Sequence, residues 1–473
     1  MSFLIERNKI LLCLAIIIFG SIIGFVSTTN ITLYLLIILS LFIGLFIMSL
    51  KLTFVRFSLI LYIFITILIP KAGLKIADLP FTLSNIALII ALFSSFIYVV
   101  LNKKKIRYKS TVSRFVLKYY LIMITFICLF LLISFMSHGI VSTLVTFVPN
   151  YLPLFLIAPM YFFLIKDFKS IKKALVYSSV ILVVYGTIQL TFGHYQTIIP
   201  GITVNYSDYL QGNVFESKNN VTSVGLKLVS TYQNGNLYGS ILIFISVFFV
   251  VNAINNENTK KQRLFYFLMF CLAIINEVAS LSRSALIGFV MALIVLACFV
   301  GKFRKYLVVS LIAGISSIYL FNFDERIFSG DATGAGRTFM YQDYFQSILN
   351  MNWFETIKFL FMGEGIGFDW KYVGASTLYS VESGLLNLIL YSGLTGLILY
   401  ISPLVYLVIK LFLIKKSISP IVIIVISSLI GMWFQFSIDQ LMNLPPSAQN
   451  YWILLTIGLV FLNDSISKQE NEK

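Results

Sequence analysis

Arg283 lies in Leu281-Ser282-Arg283-Ser284-Ala285, between two apolar runs. A cation at the end of two hydrophobic helices is costly unless it has a partner. Arg337 follows Gly334-Ala335-Gly336, where glycines let the backbone approach a ligand closely. A guanidinium is a planar fork that can donate two parallel hydrogen bonds to one phosphate. Two such arginines can converge on a phosphate or pyrophosphate, or each can neutralise a nearby acid such as Glu277 or Asp331. Glu382 opens the next apolar run, in Val381-Glu382-Ser383-Gly384-Leu385-Leu386-Asn387. At a membrane edge its carboxyl can be tuned upward to act as a general base, or it can be a first-turn acid favoured by the helix macrodipole. Asp343, Asp369 and Asp439 are further acids that could take the role of base.

Other chemistries lack their residues. There is no H-E-x-x-H and no D-x-D, and the two histidines, His138 and His194, are far apart, so no metal site is expected. Gly363-Glu364-Gly365-Ile366-Gly367 does not match the dinucleotide fingerprint and follows no βαβ pattern. No cofactor is expected. Tyr206, Tyr209, Phe215, Tyr232, Tyr341, Tyr344, Trp353, Trp370, Tyr372 and Tyr379 crowd two polar gaps. They can stack on sugar faces, and they equally suit the aromatic belt of a membrane interface.

The elements that position these residues follow from composition. Of 473 residues, 59% are hydrophobic and 11% charged, with mean hydropathy +0.93. A soluble domain has about 25% charged residues, so the fold class expected is all-α, a polytopic integral membrane protein. Crossing the hydrocarbon takes about 20 mostly apolar residues. Candidate spans are 10–26, 31–50, 57–69, 82–101, 115–136, 145–165, 174–192, 237–251, 264–279, 285–300, 306–321, 383–413, 418–434 and 451–462, about fourteen (12–14) in all. Pro149, Pro153 and Pro159 should kink the sixth. The first run has no small-x-small site after Val26 and reads as a retained helix. The stretch 264–300 would be about 55 Å of helix, too long for one span, so it must fold back in a tight hairpin at 281–285.

With both termini placed inside, 26 of the 35 basic residues fall at cytoplasmic ends. Nine remain outside: Lys71, Lys75, Lys218, Lys227, Arg283, Arg326, Arg337, Lys358 and Lys371. This asymmetry follows the positive-inside pattern and accounts for most of the +16 net charge without nucleic acid. The expected organisation is N-terminal spans over 1–192, a first long outer loop over 193–236, central spans with the Ser-Arg-Ser hairpin over 237–321, a large outer loop over 322–382, and C-terminal spans over 383–473. Loops this long without a role are uncommon, and 337–349 and 353–361 within the second carry helical periodicity.

In order, the landmarks are Thr231-Tyr232-Gln233-Asn234-Gly235-Asn236, then Ser282-Arg283-Ser284, then Gly336-Arg337 with Tyr341 one turn on. The glycines 363–367 and Gly393-Leu394-Thr395-Gly396 follow. In this order, before and after a large loop, they resemble the O-antigen polymerase and O-antigen ligase superfamily, the Wzy-type polysaccharide polymerases included. The resemblance implies a metal-independent glycosyltransferase of the bacterial cytoplasmic (inner) membrane, acting on its outer face. Donor and acceptor would be polyprenyl-pyrophosphate-linked oligosaccharides, with membrane lipid around them and a chain-length regulator and a flippase as partners. It further implies Arg283 and Arg337 on the pyrophosphate, Asn234, Asn236, Tyr341 and Arg326 in substrate binding, and Glu382 as the base. Ligases typically carry histidine where Glu382 stands, which favours a polymerase. A ligase or oligosaccharyltransferase using the same donor, and a lipid-linked oligosaccharide flippase or other transporter, are the alternatives.

Overall fold

The computed structural model describes residues 44–70, 73–76, 79–102, 110–140, 143–144, 147, 151–193, 221–222, 225–232, 234–304, 345–346, 348–365, 383–414, 418–439, 441 and 445–471. Arg326, Arg337, Tyr341 and Glu382 lie outside the described residues, as do the expected spans 10–26 and 306–321 and most of 31–50.

The described chain is predominantly helical. It begins with α1 (Leu52–Leu68), a two-stranded antiparallel ribbon β1 (Gly73–Ile76) and β2 (Leu79–Thr82), α2 (Leu83–Asn102) and α3 (Thr111–His138). A 3-10 turn (Leu152–Leu156) then runs into α4 (Ile157–Leu164), followed by α5 (Phe168–Phe192). A second short ribbon, β3 (Val221–Thr222) and β4 (Gly225–Leu226), precedes α6 (Gly235–Ile254), α7 (Lys260–Ala279) and α8 (Arg283–Phe299). The last elements are α9 (Trp353–Met362), α10 (Gly384–Leu413), α11 (Pro420–Ile438) and α12 (Pro445–Asn471). Among the described residues, seven helices are long and apolar enough to cross a membrane: α2, α3, α5, α6, α7, α10 and α11. The segments Leu52–Leu68, Leu152–Leu164 and Arg283–Phe299 are apolar but shorter. The chain is thus a helical, multi-pass membrane protein.

Two compact units divide it. Within the first (Met1–Ser58 and Phe93–Lys105), the hydroxyls of Ser58 and Ser94 hydrogen-bond at 2.8 Å. The second holds residues 59–92 and 106–473 and every feature described below.

The proline-bearing segment behaves as its composition dictates. Pro153, near the N-terminus of the 3-10 turn, has no N–H to donate, and regular α-helix starts only at Ile157. The long run 264–300 divides where expected. α7 ends at Ala279, Leu281 takes a left-handed φ of +52°, and Ser282 caps α8, its Oγ accepting from Ala285 N. A non-glycine residue in that region is uncommon, and here it is what allows the turn to close within three residues.

The core of this unit is α6 packed against α7, α8 and α11. Nearly the whole of α6 is buried, so its side chains face protein on every side rather than lipid. Without a hydrophobic drive between helices in lipid, close approach depends on small residues. Gly288 on α8 and Gly431 on α11 supply it: a Cβ on Gly288 would lie 2.6 Å from Gly431 O, and one on Gly431 would strike Gly288 O.

The helix α12 is longer than its apolar run of 451–462, for a related reason. Its first turns carry Gln449 and Asn450, which polarity places in a loop. Both are buried against protein, with Gln449 Nε2 donating to Asn85 Oδ1 at 3.0 Å and Asn450 Nδ2 donating to the Tyr232 hydroxyl at 3.0 Å.

Candidate functional site

The segment before α6 ties several helix ends together. Leu228 N donates to Ala279 O at the end of α7 (2.9 Å). Ser230 Oγ donates to Leu182 O on α5 (3.1 Å), Thr231 Oγ1 to Leu68 O at the end of α1, and the Tyr232 hydroxyl to Ile67 O (2.9 Å). Burial pushes the Tyr232 phenol well above its ordinary range, so it stays neutral. Asn234 then caps α6, its Oδ1 accepting from Asn236 N (2.8 Å) and Leu237 N (3.3 Å). The Thr-Tyr and Asn positions of the first landmark therefore have structural work. The carboxamide oxygen of Asn234 caps its own helix.

Asn236 does something different. Its Nδ2 donates to Asp439 Oδ2 at 2.8 Å, and its Oδ1 accepts from the buried Lys227 Nζ at 3.0 Å. Ser284 Oγ donates to the same Asp439 oxygen at 3.2 Å, and Gln435 Nε2 donates to Asn236 O at 3.0 Å. Asp439 closes α11, and its carbonyl accepts from Gly384 N at the start of α10 (3.1 Å). The N-termini of α6 and α8 thus share the Asp439 carboxylate through Asn236 and Ser284, and the N-terminus of α10 meets the Asp439 carbonyl.

Arg283 occupies the first turn of α8, half-buried, beside Ser284. This is the wrong end of a helix for a cation, since its charge adds to the positive pole instead of offsetting it. Arg283 has no hydrogen bond or ion pair among the described residues. The ion pair with Glu277 that the sequence leaves open is not formed. Both Glu277 carboxylate oxygens are enclosed without a hydrogen-bond partner among the described residues, and Oε1 lies 3.6 Å from where a Cβ on Gly239 would stand. Among the described residues, Lys227 reaches the Asp439 carboxylate through Asn236, and Arg283 shares the first turn of α8 with Ser284, which bonds that carboxylate directly. Such an arrangement suits an anion with several oxygens.

The structure brings together Asn236, Ser284 (the neighbour of Arg283) and Gly384, two residues after Glu382, on Asp439. It says nothing of Arg326, Arg337, Tyr341 and Glu382 themselves, which lie outside the described residues. Lys227, Ser284 and Gln435 are the members that the sequence reading passed over, and Asp439 entered it only as a reserve base. Gln435 and Asp439 carried a signal: two polar residues four apart at the end of an apolar run place both on one face at the helix end. Among the described residues no three His, Cys, Asp or Glu side chains gather as metal ligands. No known family model matches this chain, and no characterised protein matches it by sequence.

Proposed function

We propose that this chain is a polysaccharide polymerase. It transfers a growing glycan from polyprenyl pyrophosphate to a lipid-linked repeat unit at the outer face of the bacterial cytoplasmic membrane. The observation that carries the reading is the convergence of Arg283, Lys227 and the N-termini of α6, α8 and α10 on one edge of the helical bundle. An acceptor hydroxyl oxygen attacks the anomeric carbon of the donor. The bond from that carbon to the phosphate oxygen breaks, and the pyrophosphate lipid leaves with the electron pair. Charge on the leaving oxygens grows along this path, so fixed cations and helix N-termini stabilise the transition state more than the ground state. Glu382 takes the hydroxyl proton, and Arg337 joins Arg283 on the pyrophosphate. Asp439 holds Asn236 and Ser284 in place and balances part of the positive potential while the site is empty of anion.

The deciding experiment is deletion of the gene in its source cell, followed by sizing of the surface glycan and of the lipid-linked pool. Loss of a polymerase leaves single repeat units. Long unattached chains would indicate a ligase, and repeat units trapped at the cytoplasmic face would indicate a flippase; either result overturns the proposal.

A further inference from the structure

The helix α10 is broken at Gly393, whose φ of 63° and ψ of −171° belong to neither half. The carbonyls that the break frees, Leu390 O and Tyr391 O, are taken up by the chain following α9. Glu364 N donates to Leu390 O (2.7 Å) and Gly365 N to Tyr391 O (3.0 Å). The two backbones touch: a Cβ on Gly363 would lie 2.6 Å from Leu390 O, and one on Gly393 would lie 2.6 Å from Met362 N. The end of α3 reaches the same level, with His138 Nε2 and Glu364 O 2.6 Å apart. The part of α10 beyond the break, residues 394–413, is about 30 Å of helix, enough to cross the hydrocarbon alone. The break, the end of α3 and the C-terminus of α9 therefore share the depth of the hydrocarbon boundary.

At that depth α9 turns Phe359 inward, packed on Leu390, and leaves a different stripe uncovered. Trp353, Ile357 and Phe361 recur every fourth residue, with Phe354 beside them, and are 76%, 45%, 60% and 67% exposed. Glu355 and Lys358 lie on the other flank of the helix, also exposed. A span facing lipid shows the same kind of exposure: Ile398 and Phe412 on α10, and Leu132 and Met136 on α3. The apolar stripe of α9 thus continues the lipid-facing surface of the two helices to which its end is bonded.

We infer that α9 is an interfacial helix, seated along the bilayer boundary with Trp353, Phe354, Ile357 and Phe361 in the acyl region, its occupant being the membrane lipid itself. An apolar face flanked by charges, with tryptophan and phenylalanine on it, suits that position. The backbone lock between Gly363 and Gly393 holds the C-terminal end of the helix at the level of the break in α10. The inference does not rest on the proposed activity.

The test uses the full chain in phosphatidylcholine liposomes, with nitroxide labels placed singly at residues 353, 357, 361 and 355 after Cys13, Cys128, Cys271 and Cys298 are replaced by serine. Lipid seating predicts that oxygen collides with labels at 353, 357 and 361 several-fold more than a water-soluble nickel chelate does, with the reverse at 355. Equal, water-like collision at all four sites overturns it. Protection of 353, 357 and 361 from both reagents would mean a second copy or another protein covers the stripe, and overturns it too. Should the cysteine-free chain fail to fold, the native chain is compared with Trp353→Phe in liposomes of lipids brominated near the head group. Lipid seating requires that the Trp353 share of the fluorescence be strongly quenched, and unquenched emission refutes it.

Discussion

Lysine in place of Arg283 would keep a positive charge in the first turn of α8 and remove the planar fork. If a pyrophosphate is held there by paired hydrogen bonds, Arg283→Lys should fail almost as badly as Arg283→Ala. Loss of such a contact costs about 2–4 kcal/mol of transition-state stabilisation, roughly 10²–10³ in rate. Normal polymer from an Arg283→Ala strain with normal protein level would remove Arg283 from the site. In the proposed polymerase, Glu382 is the base and Asp439 a positioning residue. Glu382→Gln keeps shape and hydrogen-bonding capacity without the charge, and should abolish polymer while lipid-linked repeat units still bind. Asp439→Asn still accepts from Asn236 or Ser284 through its amide oxygen. It should leave activity in place and lower stability by about 1 kcal/mol, the difference between charged and neutral acceptors. The opposite pattern, with polymer in Glu382→Gln and none in Asp439→Asn, makes Asp439 the base. Arg283 stands out in the sequence because an arginine between two apolar runs is costly without a partner, although the sequence leaves open an acid such as Glu277 as that partner. The roles of Lys227 and Asp439 are not legible, because they are ordinary loop and helix-end residues until the fold brings Asn236 and Asp439, 203 positions apart, within hydrogen-bond reach.

At the scale of elements, apolar length gives the helices and one of their breaks, while another rests on backbone geometry that leaves no compositional trace. The hairpin at 281–285 follows from length alone, since about 55 Å of helix cannot cross once. The break at Gly393 does not, because Gly393-Leu394-Thr395-Gly396 sits inside an unbroken apolar run that reads as one span over 383–413. Alanine at 393 should be poorly tolerated. The ψ near 180° with positive φ belongs to a region essentially reserved for glycine and costs about 1–3 kcal/mol for other residues. The added Cβ also meets the backbone of Phe361 and Met362. Gly393→Ala should therefore lower the melting temperature of the purified protein far more than Gly301→Ala, where a Cβ meets nothing within 4 Å. Equal melting of the two variants would mean the break is not held by contact with α9. The helical periodicity over 353–361 matches α9, and its start is fixed by a capping box of Asn352 and Glu355, with Glu355 N donating to Asn352 Oδ1 at 2.8 Å and Asn352 N to Glu355 Oε2 at 3.2 Å.

Across the whole molecule, hydrogen bonds put the ends of α3, α7 and α11 and the starts of α6, α8 and α10 on one edge of the bundle. The basic residues that flank these helices cluster at the other ends: Lys169, Lys172 and Lys173 at the start of α5, Lys260, Lys261 and Arg263 at the start of α7, and Lys410 at the end of α10. The proposed polymerase needs the edge bearing Arg283 and Asp439 to lie outside the cytoplasm, the orientation expected from the positive-inside pattern. Exposed residues on either edge give a direct check. Lys358 on α9 belongs to the first edge, and Glu257, between α6 and α7, to the opposite one; both are open to solvent. In a chain freed of native cysteines, Lys358→Cys should react with a membrane-impermeant thiol reagent in intact cells, and Glu257→Cys only after permeabilisation. The two positions must differ whichever way the bundle faces, so identical labelling would refute the shared edge itself. Reversed labelling would keep the edge and turn it inward, where a pyrophosphate-linked glycan exported to the outer leaflet could not reach Arg283, and the polymerase reading would fail with it.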